Sequence, residues 1–157
     1  MRTSAVRNRL EGKNTGSPDV RKAVGYLHRA IAARGVDPKL LALAPLRVSR
    51  INGCPARVHA RVAGGRAAGD TDERLHSAAA WREAPFRTAP NRAALALAEA
   101  ATRLQDGAEG AVDTIWNEAA AHFTEEETGA ANLEIALTSF FNRTNRTINE
   151  PAGRTWG

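Results

Sequence analysis

Three times in its first 55 residues the chain places proline directly after a residue or turn that can begin a helix: Ser17-Pro18, Asp37-Pro38 and Cys54-Pro55. Proline is tolerated at the first helical position, where its missing N–H would have had no partner. Each pair therefore reads as a helix start. Apolar residues follow each of the first two at helical spacing: Val20, Val24, Leu27 and Ile31 after the first, then Leu40, Leu41, Leu43 and Leu46 after the second. Gly35 and Asn52-Gly53 close those two segments. The third is expected to close at Gly64-Gly65 or at Gly69. Pro45 falls inside the second helix, at a cost of about 3 kcal/mol in an interior turn.

The remaining chain continues in the same way. Asp70 or Thr71 caps a helix carrying Leu75, Ala79 and Trp81, and Pro85 ends it. Thr88 starts an alanine-rich helix through Leu95, Leu97 and Leu104, and residues 107–110 break the chain. A short helix carries Val112, Ile115, Trp116 and Ala119 and ends near Phe123. Thr124 with Glu127 three residues later has the form of a capping box, opening a last helix to about Ile148. No segment alternates with period two. The expectation is an all-α domain of about seven helices over residues 17–157, preceded by a polar tail at 1–16 expected to be mobile.

At 157 residues one domain suffices, and no disulfide or metal staple is needed. One cysteine excludes an intrachain disulfide and a cysteine-rich metal site. No metal and no cofactor are expected. No apolar run approaches the roughly 18 residues of a membrane span, and no secretory signal is present, so a cytoplasmic protein without membrane contact is expected. Of the 22 basic residues 19 are Arg; residues 1–69 carry a net +11 and residues 70–157 a net −6. That asymmetry is compatible with nucleic acid, but solvated arginine faces and contact between the two halves explain it more economically.

Cys54 is the residue best placed for chemistry. It lies between a turn and a proline-started helix, where free N–H groups and the helix dipole favour a thiolate. Arg57 and Arg61 follow at three and seven residues, on roughly the same helical face. They are expected to stabilise the thiolate or to form an anion- or substrate-binding pair. A buried structural cysteine is the alternative. His59 lies on another face and is expected to be exposed; His28, His76 and His122 sit on separate helices with no partner at metal spacing. Residues 64–69, although glycine-rich, follow a helix and not a strand, so they read as a helix stop and not a phosphate cradle. Trp81, Trp116, Phe86, Phe123, Phe140 and Phe141 are expected in the core or at a subunit contact.

LRVSRINGC at 46–54, GRAAGDTDERLHSAAAWREAPFRT at 65–88 and RAALALAEAATRL at 92–104 resemble the AhpD-like branch of the carboxymuconolactone decarboxylase family. HFTEEE at 122–127 and FFNRTNR at 140–146 extend the likeness in the same order, and GVDPKLLALAPLRVS at 35–49 fits upstream. The resemblance implies an all-α fold, assembly as trimers or hexamers, and a peroxide-reducing site at a helix start near the interface. In that branch two cysteines stand as C-x-x-C, with a histidine after the second and a glutamate in the preceding helix. Only Cys54 is kept here: Arg57, Arg61 and Ala42 occupy the other three positions. Three functions follow: a weak one-cysteine peroxidase relying on an external thiol reductant, an inactive anion-binding or scaffold oligomer, or a decarboxylase of a small dicarboxylate or lactone. The last lacks a visible acid or base.

Overall fold

A computed structural model describes residues 7–10 and 18–154. Among them are seven α-helices and one 3₁₀ helix, with no strand. The helices are α1 (Pro18–Ala32), α2 (Pro38–Ile51), α3 (Pro55–Ala67), α4 (Asp72–His76), α5 (Ala89–Thr102), α6 (Ala111–Ala120) and α7 (Glu125–Ile148). The 3₁₀ helix, Ser77–Ala80, follows α4 directly. The expected single helix through Trp81 is thus a five-residue helix and a tighter turn. The expected helix through Leu104 ends two residues earlier, leaving Leu104 exposed.

The start signals act as the sequence implies. Asp37 accepts from the Lys39 N–H, Thr71 from Arg74 and Thr88 from Asn91. Thr71, not Asp70, is the cap of α4. The cap expected at Ser17 lies outside the described residues. Thr124 and Glu127 form both bonds of the capping box, at 3.2 Å and 2.9 Å. Replacing Thr124 with Ala is expected to cost about 1 kcal/mol, read as a lower urea midpoint with an unchanged slope.

The helix stop at residues 64–69 is later than its first glycines. Gly64 and Gly65 lie inside α3, and the chain turns at Gly69, where φ is +80°. Gly65 has a packing role instead: a Cβ there would stand 2.5 Å from Leu75 Cδ2. The glycine lets α3 close onto α4.

α2 is the centre of the molecule and packs against α3, α5 and α7. Leu40, Ala42, Leu43, Ala44, Pro45, Leu46, Val48 and Ser49 are all buried on it. A helix buried on every side needs small residues wherever a neighbour comes close, which accounts for Ala42 and Ala44. Three apolar clusters surround it. Ile31, Leu40, Leu137 and Phe141 fill one side, Leu43, Leu46, Leu75, Trp81 and Leu95 the second, and Val48, Leu97, Ala119 and Ile135 the third. Of the expected core aromatics Trp81 and Phe141 are buried, while Phe86 and Phe140 are exposed.

Part of the expected tail is held down. The Arg9 N–H donates to the Ile148 carbonyl at 2.7 Å, and Asn149 Nδ2 donates to the Arg7 carbonyl at 3.1 Å. Asn8 Nδ2 donates to the Glu150 carboxylate. Residues 7–10 therefore lie against the end of α7.

Candidate functional site

The turn between α2 and α3 places the cysteine. Gly53 has φ +60°, a conformation that favours glycine, and it turns the chain away from α2. The Cys54 N–H then donates back to the Ser49 carbonyl at 3.0 Å. Asn142, buried on α7, ties the turn down: its Nδ2 donates to Ser49 Oγ at 3.2 Å and its Oδ1 accepts from Asn52 Nδ2 at 2.9 Å. Cys54 is the N-cap of α3, and its side chain makes no capping hydrogen bond. The thiol is free and only 1% of the residue is exposed. The cysteine stands at the helix start, as expected, and its burial is the feature that the alternative reading of a structural cysteine calls for.

The two arginines part company. The Arg61 guanidinium pairs with the Glu134 carboxylate on α7, and its Nη2 also donates to Thr138 Oγ1 at 3.3 Å. Part of the guanidinium is thus engaged within the protein, on Glu134 and Thr138. The Arg57 guanidinium stands over the Phe141 ring, 4.4 Å from guanidinium carbon to ring centre. Its Nε is buried without a hydrogen-bond partner among the described residues. Burial, then the like charge of Arg61, lowers the Arg57 pKa to about 10; the charges of Glu134 and Cys54 act in the opposite sense. Arg57 therefore stays cationic at neutral pH and interacts electrostatically with the Cys54 sulfur.

Helix packing adds two residues that sequence reading left apart. His28 Nδ1 on α1 lies 3.6 Å from Glu134 Oε2, an ion pair when the imidazole is protonated. The His28 ring stacks on Phe141, with centres 6.2 Å apart. No partner at metal spacing was visible for His28 in the sequence; the fold supplies a single carboxylate, from α7. Burial would raise the Glu134 pKa, but His28 and Arg61 together outweigh it and hold the carboxyl below its usual range. One signal for Glu134 was present in the sequence. It stands four residues after Ala130, four before Thr138 and seven before Phe141, on the face that α7 must bury. His59 is exposed, as expected, and no group of three metal-ligating side chains occurs among the described residues.

Beside this cluster, α1, α3, α7 and the segment after α7 border a half-open cavity of about 280 Å³. Val24, His28, Ala60, Phe141 and Arg57 line it. Cys54, the N-cap of α3, is not among its lining residues.

The fold and the helix-start cysteine define a class: helical proteins built around one central buried helix with a candidate thiol site at the end of that helix. A solved structure from Agrobacterium tumefaciens has the same fold, with a TM-score of 0.84 and 28% sequence identity over 95% of this chain and all of that one. Its function is unknown, and it is provisionally described as an AhpD-type antioxidant defence protein. The chain is also 29% identical over 101 residues to the uncharacterized protein YdfG of Bacillus subtilis, covering 64% of this chain and 67% of that one. The profile of the carboxymuconolactone decarboxylase family matches residues 18–100, more than half of the chain. The chain belongs to that family.

Proposed function

We propose that this protein is a one-cysteine peroxide-reactive member of the AhpD-like branch. The observation that carries the reading is the place of Cys54 at the start of α3, with Arg57 in the first turn of the same helix. The Cys54 thiolate attacks the peroxide O–O bond, one oxygen stays on sulfur as sulfenic acid, and the other leaves as water or alcohol after taking a proton. One external thiol condenses with the sulfenic acid, releasing water. A second thiol displaces the mixed disulfide and restores Cys54. The 1% exposure of Cys54 makes turnover slow. In the test, peroxide should block alkylation of Cys54, added thiol should restore it, and Cys54→Ser should abolish both. A thiol that excess peroxide leaves alkylatable overturns the reading.

A second reading, anion binding without redox turnover, is favoured by the unpartnered Arg57 Nε beside a cavity. Self-association into trimers or hexamers belongs to either reading. Support comes from the family likeness and from an apolar groove between α1 and α7, lined by Leu27, Leu133 and Phe140, each at least one-third exposed. Light scattering should give a mass above 16.8 kDa, falling when Leu133 and Phe140 are replaced by Ser. A monomeric mass for the native chain removes this part.

A further inference from the structure

We infer that the cavity between α1, α3 and α7 is a binding site for a small organic monocarboxylate, with its carboxylate on Arg57 and its apolar body along α1. This rests on the anion-binding reading of Arg57 and adds to it the class of ligand. It does not depend on the chemistry of Cys54.

The polar end is set by Arg57. Guanidinium groups inside proteins are ordinarily met by a carboxylate or by carbonyl oxygens, because a desolvated donor without a partner is costly. Arg61, one turn further along α3, has such a partner in Glu134. Arg57 has the Phe141 ring on one side and no ion-pair partner among the described residues. Its planar fork matches a carboxylate with two parallel hydrogen bonds. Charged groups at the rim do not supply a ready partner: the one carboxylate that lines the cavity, Glu150, already accepts from Asn8. The nearby Glu134 is offset by Arg61.

The apolar end is set by the wall. Val24 and Gly25 on α1, Ala56 and Ala60 on α3, and the Phe141 ring present mostly carbon. A volume of about 280 Å³ is close to the lower limit of about 300 Å³ for small-molecule sites, and far larger than one inorganic oxyanion fills. An ion alone would leave that wall wet. A carboxylate with a short hydrocarbon body covers it.

The test uses the full chain, with octanoate, acetate, inorganic phosphate and 1-octanol as probes, followed by thermal shift and by heteronuclear NMR of the Arg57 side chain. Octanoate should bind saturably to the native chain and to Cys54→Ser alike, and perturb the Arg57 signals. Acetate, phosphate and octanol should each bind about tenfold or more weakly, and Arg57→Met should weaken octanoate by a similar factor. Arg57→Lys keeps the charge but loses the fork, so it should fall between the two. If phosphate or acetate matches octanoate at Arg57, the anion reading stands and the organic ligand is wrong. If octanol matches octanoate, the site is merely apolar and the inference fails. If none of the anions perturbs Arg57 in the native chain, both readings fail together.

Discussion

Glu134→Gln is expected to lower the unfolding free energy by about 3 kcal/mol, the lower end for breaking a buried ion pair from one side. The size follows from what is left behind. Glu134 is 3% exposed, and its carboxylate is the ion-pair partner of Arg61 and of His28 when protonated. The amide keeps the shape and one acceptor oxygen but not the charge. Arg61 Nε is already buried without a partner, so the guanidinium has little else to turn to. Arg61→Met combined with Glu134→Met should recover much of the loss, because the two charges are then removed together. Equal losses in the single and the double variant would show that the pair is not the cause. The same group gives a pH signature. Its carboxyl is held below the ordinary value of 4.5, so the unfolded chain binds a proton there more readily than the folded one. The stabilisation is complete above the unfolded value and is lost as pH falls through the lower folded value. Below about pH 4.5 the native melting temperature should therefore fall more steeply than that of Glu134→Gln.

Helix starts were legible because their chemistry is local. Asp37, Thr88 and the Thr124–Glu127 box declare themselves within four residues, and each makes the predicted bond. Cys54 was legible for the same reason: Gly53 before it and Pro55 after it fix its place at the start of α3. What could not be read was which side chains meet across helices. Arg57 and Arg61 stand one turn apart on α3, and nothing in their spacing says that one meets Glu134, 73 residues away, while the other meets an aromatic ring. The fate of each depends on where α7 crosses α3, a property of the packed bundle. Gly65 misled for a related reason. A glycine pair reads as a helix stop, but at this position it serves a close approach to Leu75 that only the tertiary structure contains.

Glu99→Ala should cost about 3 kcal/mol as well, but without touching the candidate site. Glu99 Oε1 accepts from Arg47 Nε at 2.8 Å, from Arg47 Nη2 at 2.5 Å and from Trp81 Nε1 at 3.0 Å. Arg82 Nη1 reaches the other oxygen at 2.6 Å. One carboxylate on α5 thus holds α2 and the segment after the 3₁₀ helix together. Removing it leaves the mostly buried Arg47 with only the Ala79 carbonyl, at 3.0 Å, and the indole N–H of Trp81 with no acceptor. Arg82 adds little, since its side chain is 59% exposed and screened by water. The loss should therefore couple strongly to Arg47 in a double-mutant cycle and weakly to Arg82. These contacts give a physical meaning to the tract AAWRE at 79–83, on which the family resemblance partly rests: its tryptophan and arginine both donate to Glu99. They belong to the scaffold, so Cys54 alkylation in folded Glu99→Ala should run at the native rate. A changed rate would mean that the α2–α5 contact reaches the thiol, and would move Glu99 from the frame of the molecule into its working site.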